Sequence, residues 1–220
     1  MENDAIIFDI DGTLWNACAA TAKGWNDGLE KLGIKKIIFP LQIENLAGKT
    51  QEEAVNILFP GLYGTYPNLV ETLDICESDA IRTQGGMFYG GVIDGIKKLA
   101  SHYKIFIVSN CTDWYVRVFL DFSKFEPVIS GFDCNGMSGL PKNEMLARMR
   151  KDFSLENPVY VGDTASDEEA TRSAGMDFVY VSYGFGKPKG NPKTFDSFAD
   201  LVGYFTENMS RNMVKTVAVK

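Results

Sequence analysis

The sequence is poor in the residues that build basic surfaces and zinc sites. It contains no run of lysines or arginines, and its formal net charge of −7 would repel a nucleic-acid backbone. We therefore expect no nucleic-acid partner. The single histidine, His102, and four cysteines without short paired spacing provide no zinc pattern, so we expect reduced thiols instead.

Long apolar runs are also lacking. No window reaches the roughly eighteen apolar residues of a membrane span, and the short N-terminal apolar stretch is interrupted by carboxylates, unlike a signal peptide. We expect a cytoplasmic protein without a membrane partner. The length of 220 residues, with 45% hydrophobic and 23% charged residues, fits one globular domain that carries an inserted sub-domain. The sequence leaves open whether the protein is a monomer or a homodimer.

Short apolar runs alternate with amphipathic segments along most of the chain. The runs have the length of buried parallel strands, and the segments have helical spacing. The predicted strands are Ala5–Phe8, Lys104–Ser109, Pro127–Ser130, Pro158–Gly162 and Phe178–Ser182. The predicted helices are Val92–His102, Trp114–Phe122, Asn143–Phe153 and Asp167–Ala174. This alternation predicts an α/β fold with a parallel sheet flanked by helices.

Residues 15–87 interrupt this alternation with consecutive helical segments. The predicted helices here are Ala19–Leu32, Ile43–Leu46, Gln51–Leu58 and Leu69–Gln84. Because the interval directly follows the first strand, it would lie over the carboxyl ends of the sheet, where open α/β folds bind ligands. We therefore name residues 15–87 the cap segment, and assign 1–14 and 88–208 to the core and 209–220 to a C-terminal tail.

Two carboxylates follow the first predicted strand, in the sequence Asp9-Ile10-Asp11-Gly12-Thr13. Beyond the strand the chain can turn at Gly12, so that both carboxylates approach one metal ion. Like charges so close repel unless a cation neutralises them, and Mg²⁺ prefers oxygen ligands. A solvated Asp-Gly turn is the alternative, and this motif alone leaves both interpretations open.

Three further polar segments follow later strands or open a helix. In Gly162-Asp163-Thr164-Ala165-Ser166-Asp167, two carboxylates four residues apart can share a metal or cap a helix. Ser109 and Asn110 can hold phosphate oxygens or form a turn. Lys142 opens a helix, where a cation opposes the helix dipole, although surface lysines are common. Their shared position at the ends of strands favours a single site.

The four segments together resemble the motifs of the haloacid dehalogenase-like superfamily of phosphohydrolases. They read FDIDGT, VSN, PKNE and GDTASD, where the family has DxDGT, a Ser or Thr, a Lys and GDxxxD. The resemblance covers nearly the whole chain. It implies a Rossmann-like core, an all-helical cap and a Mg²⁺ cofactor, as in the subgroup of phosphoglycolate phosphatase and beta-phosphoglucomutase.

The resemblance also implies a catalytic role for each matching residue. Asp9 would attack phosphorus to form an aspartyl-phosphate. Asp11 would protonate the leaving oxygen and then deprotonate the water that cleaves the intermediate. Ser109 and Lys142 would hold the phosphoryl oxygens and balance their charge.

For the metal, the resemblance implies three direct ligand positions. These are Asp9, the backbone carbonyl of Asp11, and Asp163. Asp167 would either bind the metal through water or orient Lys142. The acidic residue Asp11 also favours phosphoryl transfer from oxygen, because dehalogenases and phosphonate-cleaving relatives lack an acidic residue at the matching position.

Candidate substrate contacts lie in the cap segment and beside the nucleophile. Gly48 and Lys49 lie in a loop similar to the specificity loop of the family, although Lys49 has an alternative as a helix-surface partner of Glu53. Trp15 and Asn110 complete the predicted set. A small cap suggests a small phosphorylated metabolite, such as a sugar phosphate or phosphoglycolate, as substrate.

Three functions remain open on the sequence alone. The leading hypothesis is hydrolysis of a small phosphomonoester. The second is a phosphosugar mutase, which uses the same nucleophile but returns the phosphoryl group to a sugar hydroxyl. The third, a catalytically silent binding protein, is disfavoured because every residue needed for turnover is present.

Overall fold

A computed structural model describes residues 3–217 of the chain. Its strands, in chain order, are β1 (Ala5–Phe8), β2 (Trp15–Asn16), β3 (Met87–Phe88), β4 (Lys104–Ser109), β5 (Gly131–Cys134), β6 (Pro158–Gly162), β7 (Asp177–Val181) and β8 (Lys193–Phe195). Six of them form a parallel sheet in the order β5-β4-β1-β6-β7-β8. This sheet confirms the predicted Rossmann-like α/β fold.

Helices flank the sheet and fill the cap segment. In chain order they are α1 (Cys18–Lys31), α2 (Pro40–Glu44), α3 (Gln51–Leu58), α4 (Leu69–Gln84), α5 (Val92–Ala100), α6 (Asp113–Ser123), α7 (Asn135–Ser138), α8 (Lys142–Asp152), α9 (Ala165–Ser173) and α10 (Phe198–Val217). Among the residues that the structure describes, no helix combines the length and apolar character needed to cross a membrane.

The central strand is apolar on both faces because helices cover both sides of the sheet. Ile6 and Phe8 pack among residues of α5, α6 and α10, whereas Ala5 and Ile7 pack against α8. Phe8 pairs in register with residues of both β4 and β6. The carboxyl ends of β1, β4 and β6 therefore lie side by side.

The cap segment has a hydrophobic cluster of its own, formed by residues of α1, α3 and α4 and the connections between them. The helices α1 and α4 pack closely at Gly24, which has no side chain. An added Cβ there would lie only 2.5 Å from the Cα of Glu77. An antiparallel pair of β2 and β3, in which Trp15 pairs with Phe88, joins the two ends of the segment. The sequence predicted only helices here and missed this pair.

Other differences from the prediction lie at the edges of the sheet. The strand predicted at Pro127–Ser130 is wrong, because those residues form a turn in which Val128 and Ile129 pack inward, and pairing begins at Gly131. The edge strand β8 was missed because it is short and largely exposed. Helix α10 continues through residue 217 of the predicted tail, and residues 218–220 lie outside the described residues.

Candidate active site

The carboxyl ends of neighbouring strands bring the predicted motifs together. Asp9 follows β1, Ser109 ends β4 and Asp163 follows β6. A cavity of about 130 Å³ lies between this edge of the sheet and the cap segment. The predicted site residues that line it are Asp9, Asp11, Gly48, Lys49, Ser109, Asn110 and Lys142.

A buried lysine links two carboxylates at the base of the cavity. The Nζ atom of Lys142 donates to Asp9 Oδ2 at 3.0 Å and to Asp167 Oδ1 at 2.6 Å. Burial alone would lower the pKa of Lys142, but the carboxylates of Asp167 and Asp9 outweigh burial and hold that pKa well above its usual range. The ammonium group is therefore permanently charged and fixed beside the nucleophile candidate.

Asp167 has both carboxylate oxygens occupied by protein donors. Its Oδ1 accepts from Lys142, and its Oδ2 accepts from the Thr164 hydroxyl at 2.6 Å and the Thr164 N–H at 3.0 Å. Thr164 in return caps α9 through the backbone N–H of Asp167. This arrangement fits the orientation of Lys142 better than direct binding of a metal.

Two other carboxylate oxygens have no such donors. Asp9 Oδ1 and Asp163 Oδ1 are buried and have no hydrogen-bond partner among the described residues. Carboxylate oxygens of Asp9, Asp163 and Asp167 lie within 4.8 Å of one another. Unsatisfied buried anionic oxygens are costly, and a hard divalent cation is the group that such oxygens bind. The residues present therefore fit a Mg²⁺-type ion.

Electrostatic repulsion supports the same conclusion. Burial, followed by the charges of Asp167 and Asp9, raises the pKa of Asp163 well above its usual range. Burial also raises the pKa of Asp9, although Lys142 opposes this shift. One ammonium group thus faces three buried carboxyl groups, so a further positive charge would stabilise their ionised forms.

Gly12 allows the nucleophile loop to approach Asp163. It has a φ of 76°, and a Cβ at this position would lie 2.1 Å from Asp163 Oδ2. Any side chain would be strained by the backbone and would collide with the carboxylate. Gly12 of the first motif is therefore required because Asp163 of the second motif lies against it.

Two hydrogen-bonded aromatic side chains hold Asp11, and the sequence did not reveal them. The Tyr115 hydroxyl donates a short hydrogen bond to Asp11 Oδ1 and accepts one from Trp15 Nε1 at 3.2 Å. Burial raises the pKa of Asp11 to about 7, against the opposing effect of the Tyr115 hydrogen bond. A carboxyl group with this pKa can both donate and accept a proton near neutral pH.

The predicted role of Trp15 in binding substrate needs a correction. Its side chain is fully buried in the main hydrophobic core, against Phe88 and Phe119, and it does not line the cavity. A large aromatic ring on a short strand gains more by burial than by facing the cleft. The Trp15 indole therefore reaches the site through Tyr115, and the Trp15 backbone carbonyl accepts from the Gly12 N–H at 3.0 Å.

The cap segment contacts the core at the loop that contains Gly48 and Lys49. The Asn110 side-chain amide donates to the Gly48 carbonyl at 2.8 Å, joining the two parts. Lys49 is exposed at the cavity. The alternative role predicted for Lys49, an ion pair with Glu53, is not formed among the described residues. Glu53 instead accepts from the Thr50 backbone N–H at 2.8 Å.

Glu77 is a cavity residue that the sequence analysis missed. It lies on α4 and is buried, with 8% of its surface exposed. A signal was present: the other buried residues of α4 are Leu69, Leu73, Cys76, Ala80 and Ile81. Glu77 falls on that apolar stripe, where an ionisable side chain needs an explanation.

The chain is similar to known hydrolases over most of its length. A family model described as haloacid dehalogenase-like hydrolase matches residues 6–181. Phosphoglycolate phosphatases from Psychrobacter arcticus and Nitrosospira multiformis are 29% and 26% identical; the alignments cover 96% and 83% of this chain and 100% and 85% of theirs. A haloacid dehalogenase-like family hydrolase from Streptococcus pneumoniae has a similar fold, with a TM-score of 0.75 at 18% identity, over 92% of this chain and 98% of that protein.

Proposed function

This chain belongs to the haloacid dehalogenase-like hydrolase family and is a phosphatase, and from that premise we propose that it hydrolyses a small phosphomonoester through an aspartyl-phosphate on Asp9, with Mg²⁺ as its cofactor. The observation that carries the proposal is the environment of Asp9. One of its oxygens is fixed by Lys142 at 3.0 Å, and the other is buried without a protein partner beside the cavity.

The first chemical step transfers the phosphoryl group to the protein. A carboxylate oxygen of Asp9 forms a bond to phosphorus while the bond from phosphorus to the alcohol oxygen breaks. Asp11 donates its proton to that leaving oxygen, so a neutral alcohol departs. The Ser109 hydroxyl and the Lys142 ammonium group hold phosphoryl oxygens, which lowers the cost of the charge that develops on them.

The second step uses Asp11 in the opposite direction. Its carboxylate removes a proton from the water that attacks phosphorus, and the bond between phosphorus and Asp9 breaks to release inorganic phosphate. The pKa of about 7 that burial gives Asp11 suits both steps. Tyr115 keeps one Asp11 oxygen in place, which leaves the other for proton transfer.

Asp9, Asp163 and the Asp11 backbone carbonyl would hold the metal ion. When bound, Mg²⁺ supplies positive charge that neutralises the phosphoryl oxygens and lets the carboxylate nucleophile approach them. We assign Asp167 to positioning, because its oxygens are already used by Lys142 and Thr164. Lys142 then stays beside Asp9 in every step.

The size of the cavity supports a small metabolite as substrate. At about 130 Å³ it is smaller than the roughly 300 Å³ from which pockets for drug-sized ligands begin. The Asn110–Gly48 hydrogen bond joins the cap segment to the core, so a large phosphoprotein would have to break it.

The four cysteines are free thiols, in keeping with a cytoplasmic location.

The test is release of inorganic phosphate from small phosphomonoesters, with Mg²⁺ or with EDTA. We expect release that depends on Mg²⁺ and falls by about 10⁴-fold or more in Asp9→Asn, because the neutral amide is not a nucleophile. Asp27→Asn is the matched control, since Asp27 is exposed in an ion pair on α1. Undiminished release by purified Asp9→Asn would contradict the proposal. Transfer of the phosphoryl group to a sugar hydroxyl would identify a mutase instead.

A further inference from the structure

Glu77 is an ionisable group in the cavity that the proposed chemistry does not use. It extends from α4 of the cap segment, and it lines the same cavity as Asp9 and Asp11. Its charge raises the pKa of Asp11, which places the two carboxyl groups within electrostatic reach of each other. Glu77 therefore lines, from the cap segment, the same cavity that Asp9 lines from the core.

Only neutral donors hold the Glu77 carboxylate. Oε1 accepts from the Thr21 hydroxyl at 3.0 Å, and Oε2 accepts from Trp25 Nε1 at 2.7 Å and Gln51 Nε2 at 3.4 Å. Within residues 3–217, no ion pair forms with Glu77. A carboxylate can accept about four hydrogen bonds. Oε1 thus keeps capacity for one more donor.

A purely structural role explains this arrangement poorly. Burial is the largest effect on Glu77 and raises its pKa to about 7, whereas the Trp25 and Thr21 donors oppose the shift. A buried charge without a cation destabilises a fold, and an apolar or amide side chain would remove that cost. A carboxyl group that can ionise on the wall of a cavity is instead suited to a ligand that brings the missing positive charge or hydrogen-bond donor.

The cations around the cavity point to the same chemistry. Among the described residues that line it, the cationic side chains are Lys49 and Lys142. Lys142 is already bound to two carboxylates, and Lys49 is exposed at the end of the cap loop. Trp25 and Trp114 line the cavity together with Glu77. Neither indole brings a positive charge, so the aromatic side chains beside Glu77 provide no partner for an anion.

We propose that Glu77 determines specificity by accepting a hydrogen bond from an ammonium or hydroxyl group on the alcohol part of the substrate, and by repelling a carboxylate at that position. This inference rests on the proposed phosphatase function. It separates this chain from the relatives named phosphoglycolate phosphatase, because glycolate carries a carboxylate. Between the two favoured groups, the ammonium should bind better, because it supplies the cation that Glu77 lacks.

The test uses three substrates of equal length that differ in one terminal group: 2-aminoethyl phosphate, 2-hydroxyethyl phosphate and 2-phosphoglycolate. Ethyl phosphate, which lacks the terminal group but has the same leaving oxygen, serves as a reference for the chemical step. For the wild-type protein with Mg²⁺, we expect kcat/KM to fall in that order of the three, with about tenfold or more between the first and the last.

Two variants sharpen the test. Glu77→Gln should lower kcat/KM for 2-aminoethyl phosphate about 10- to 100-fold and raise it for 2-phosphoglycolate. Glu71→Gln is the matched control, because Glu71 lies on the same helix and is exposed but does not line the cavity. It should leave the order unchanged.

The outcomes separate this inference from the function on which it rests. A wild-type preference for 2-phosphoglycolate, or equal losses for all three substrates in Glu77→Gln, would overturn the role of Glu77. The wild-type order decides the matter even if Glu77→Gln does not fold. Absence of Asp9-dependent hydrolysis of all four compounds would instead overturn the proposed function itself.

Discussion

Buried carboxylates have different kinds of partner at the two ends of the cavity. At the core end, the charges of Asp9 and Asp167 are bridged by Lys142. At the cap end, three neutral donors and no cation hold Glu77 among the residues that the structure describes. The contrast teaches that the core supplies a cation of its own beside the nucleophile, whereas the cap leaves the charge of Glu77 to be balanced by the substrate.

The difference also concerns how rigidly each end is built. The core carboxylates follow strands whose register with their neighbours fixes the loops that come after them. Glu77 depends on the packing of α1 against α4, where Gly24 permits close approach. Side chains on strand ends are set by the whole sheet, but the position of Glu77 follows the cap segment.

Removing the core cation should give the largest effect on stability. In Lys142→Met, two buried carboxylates lose their partner, so we expect the free energy of unfolding to fall by about 3–5 kcal/mol and phosphate release to cease. Urea unfolding in EDTA measures the change. Lys23→Met is the control, because Lys23 forms an exposed pair with Asp27 that should contribute less than about 1 kcal/mol. Equal losses in the two variants would remove the contrast between the buried and the exposed pair.

The cap carboxylate should instead make stability depend on pH. Burial raises the pKa of Glu77 from 4.5 to about 7 in the folded protein, so between these values the folded state holds a proton that the unfolded state has released. Stability must then fall as pH rises through this window. The 2.5-unit difference corresponds to about 3 kcal/mol as an upper bound.

Glu77→Gln isolates this contribution because glutamine does not titrate. Its amide oxygen can accept from Trp25 and Gln51 while its amide nitrogen donates to the Thr21 hydroxyl, so the contacts survive. We expect the stability of the variant relative to the wild type to rise as pH rises from 4.5 to about 7, measured by urea unfolding without substrate. A constant difference at every pH would show that Glu77 is not the buried titrating group.

The same contrast explains how much could be predicted from the sequence. The core motifs combine distinctive residues at fixed spacing with apolar strands, so the sheet and seven of the residues that line the cavity could be predicted. Tyr115 and Glu77 belong to ordinary amphipathic helices, α6 and α4, and reach the site only through tertiary packing. Trp15 was misassigned because proximity to Asp11 in sequence does not fix which way a side chain points.

The smallest effect should come from the contact that joins the two ends. Asn110→Ala removes the 2.8 Å hydrogen bond to the Gly48 carbonyl, and one such bond contributes about 1 kcal/mol. We expect kcat/KM for small phosphomonoesters to fall about fivefold, with the order of substrates unchanged because Glu77 keeps its partners. The control is Asn3→Ala, which removes a 3.0 Å hydrogen bond to the Asn157 carbonyl, a contact within the core. If Asn110→Ala reversed the substrate order, this contact and not Glu77 would set the specificity, and the separation between a catalytic core end and a selective cap end would not hold.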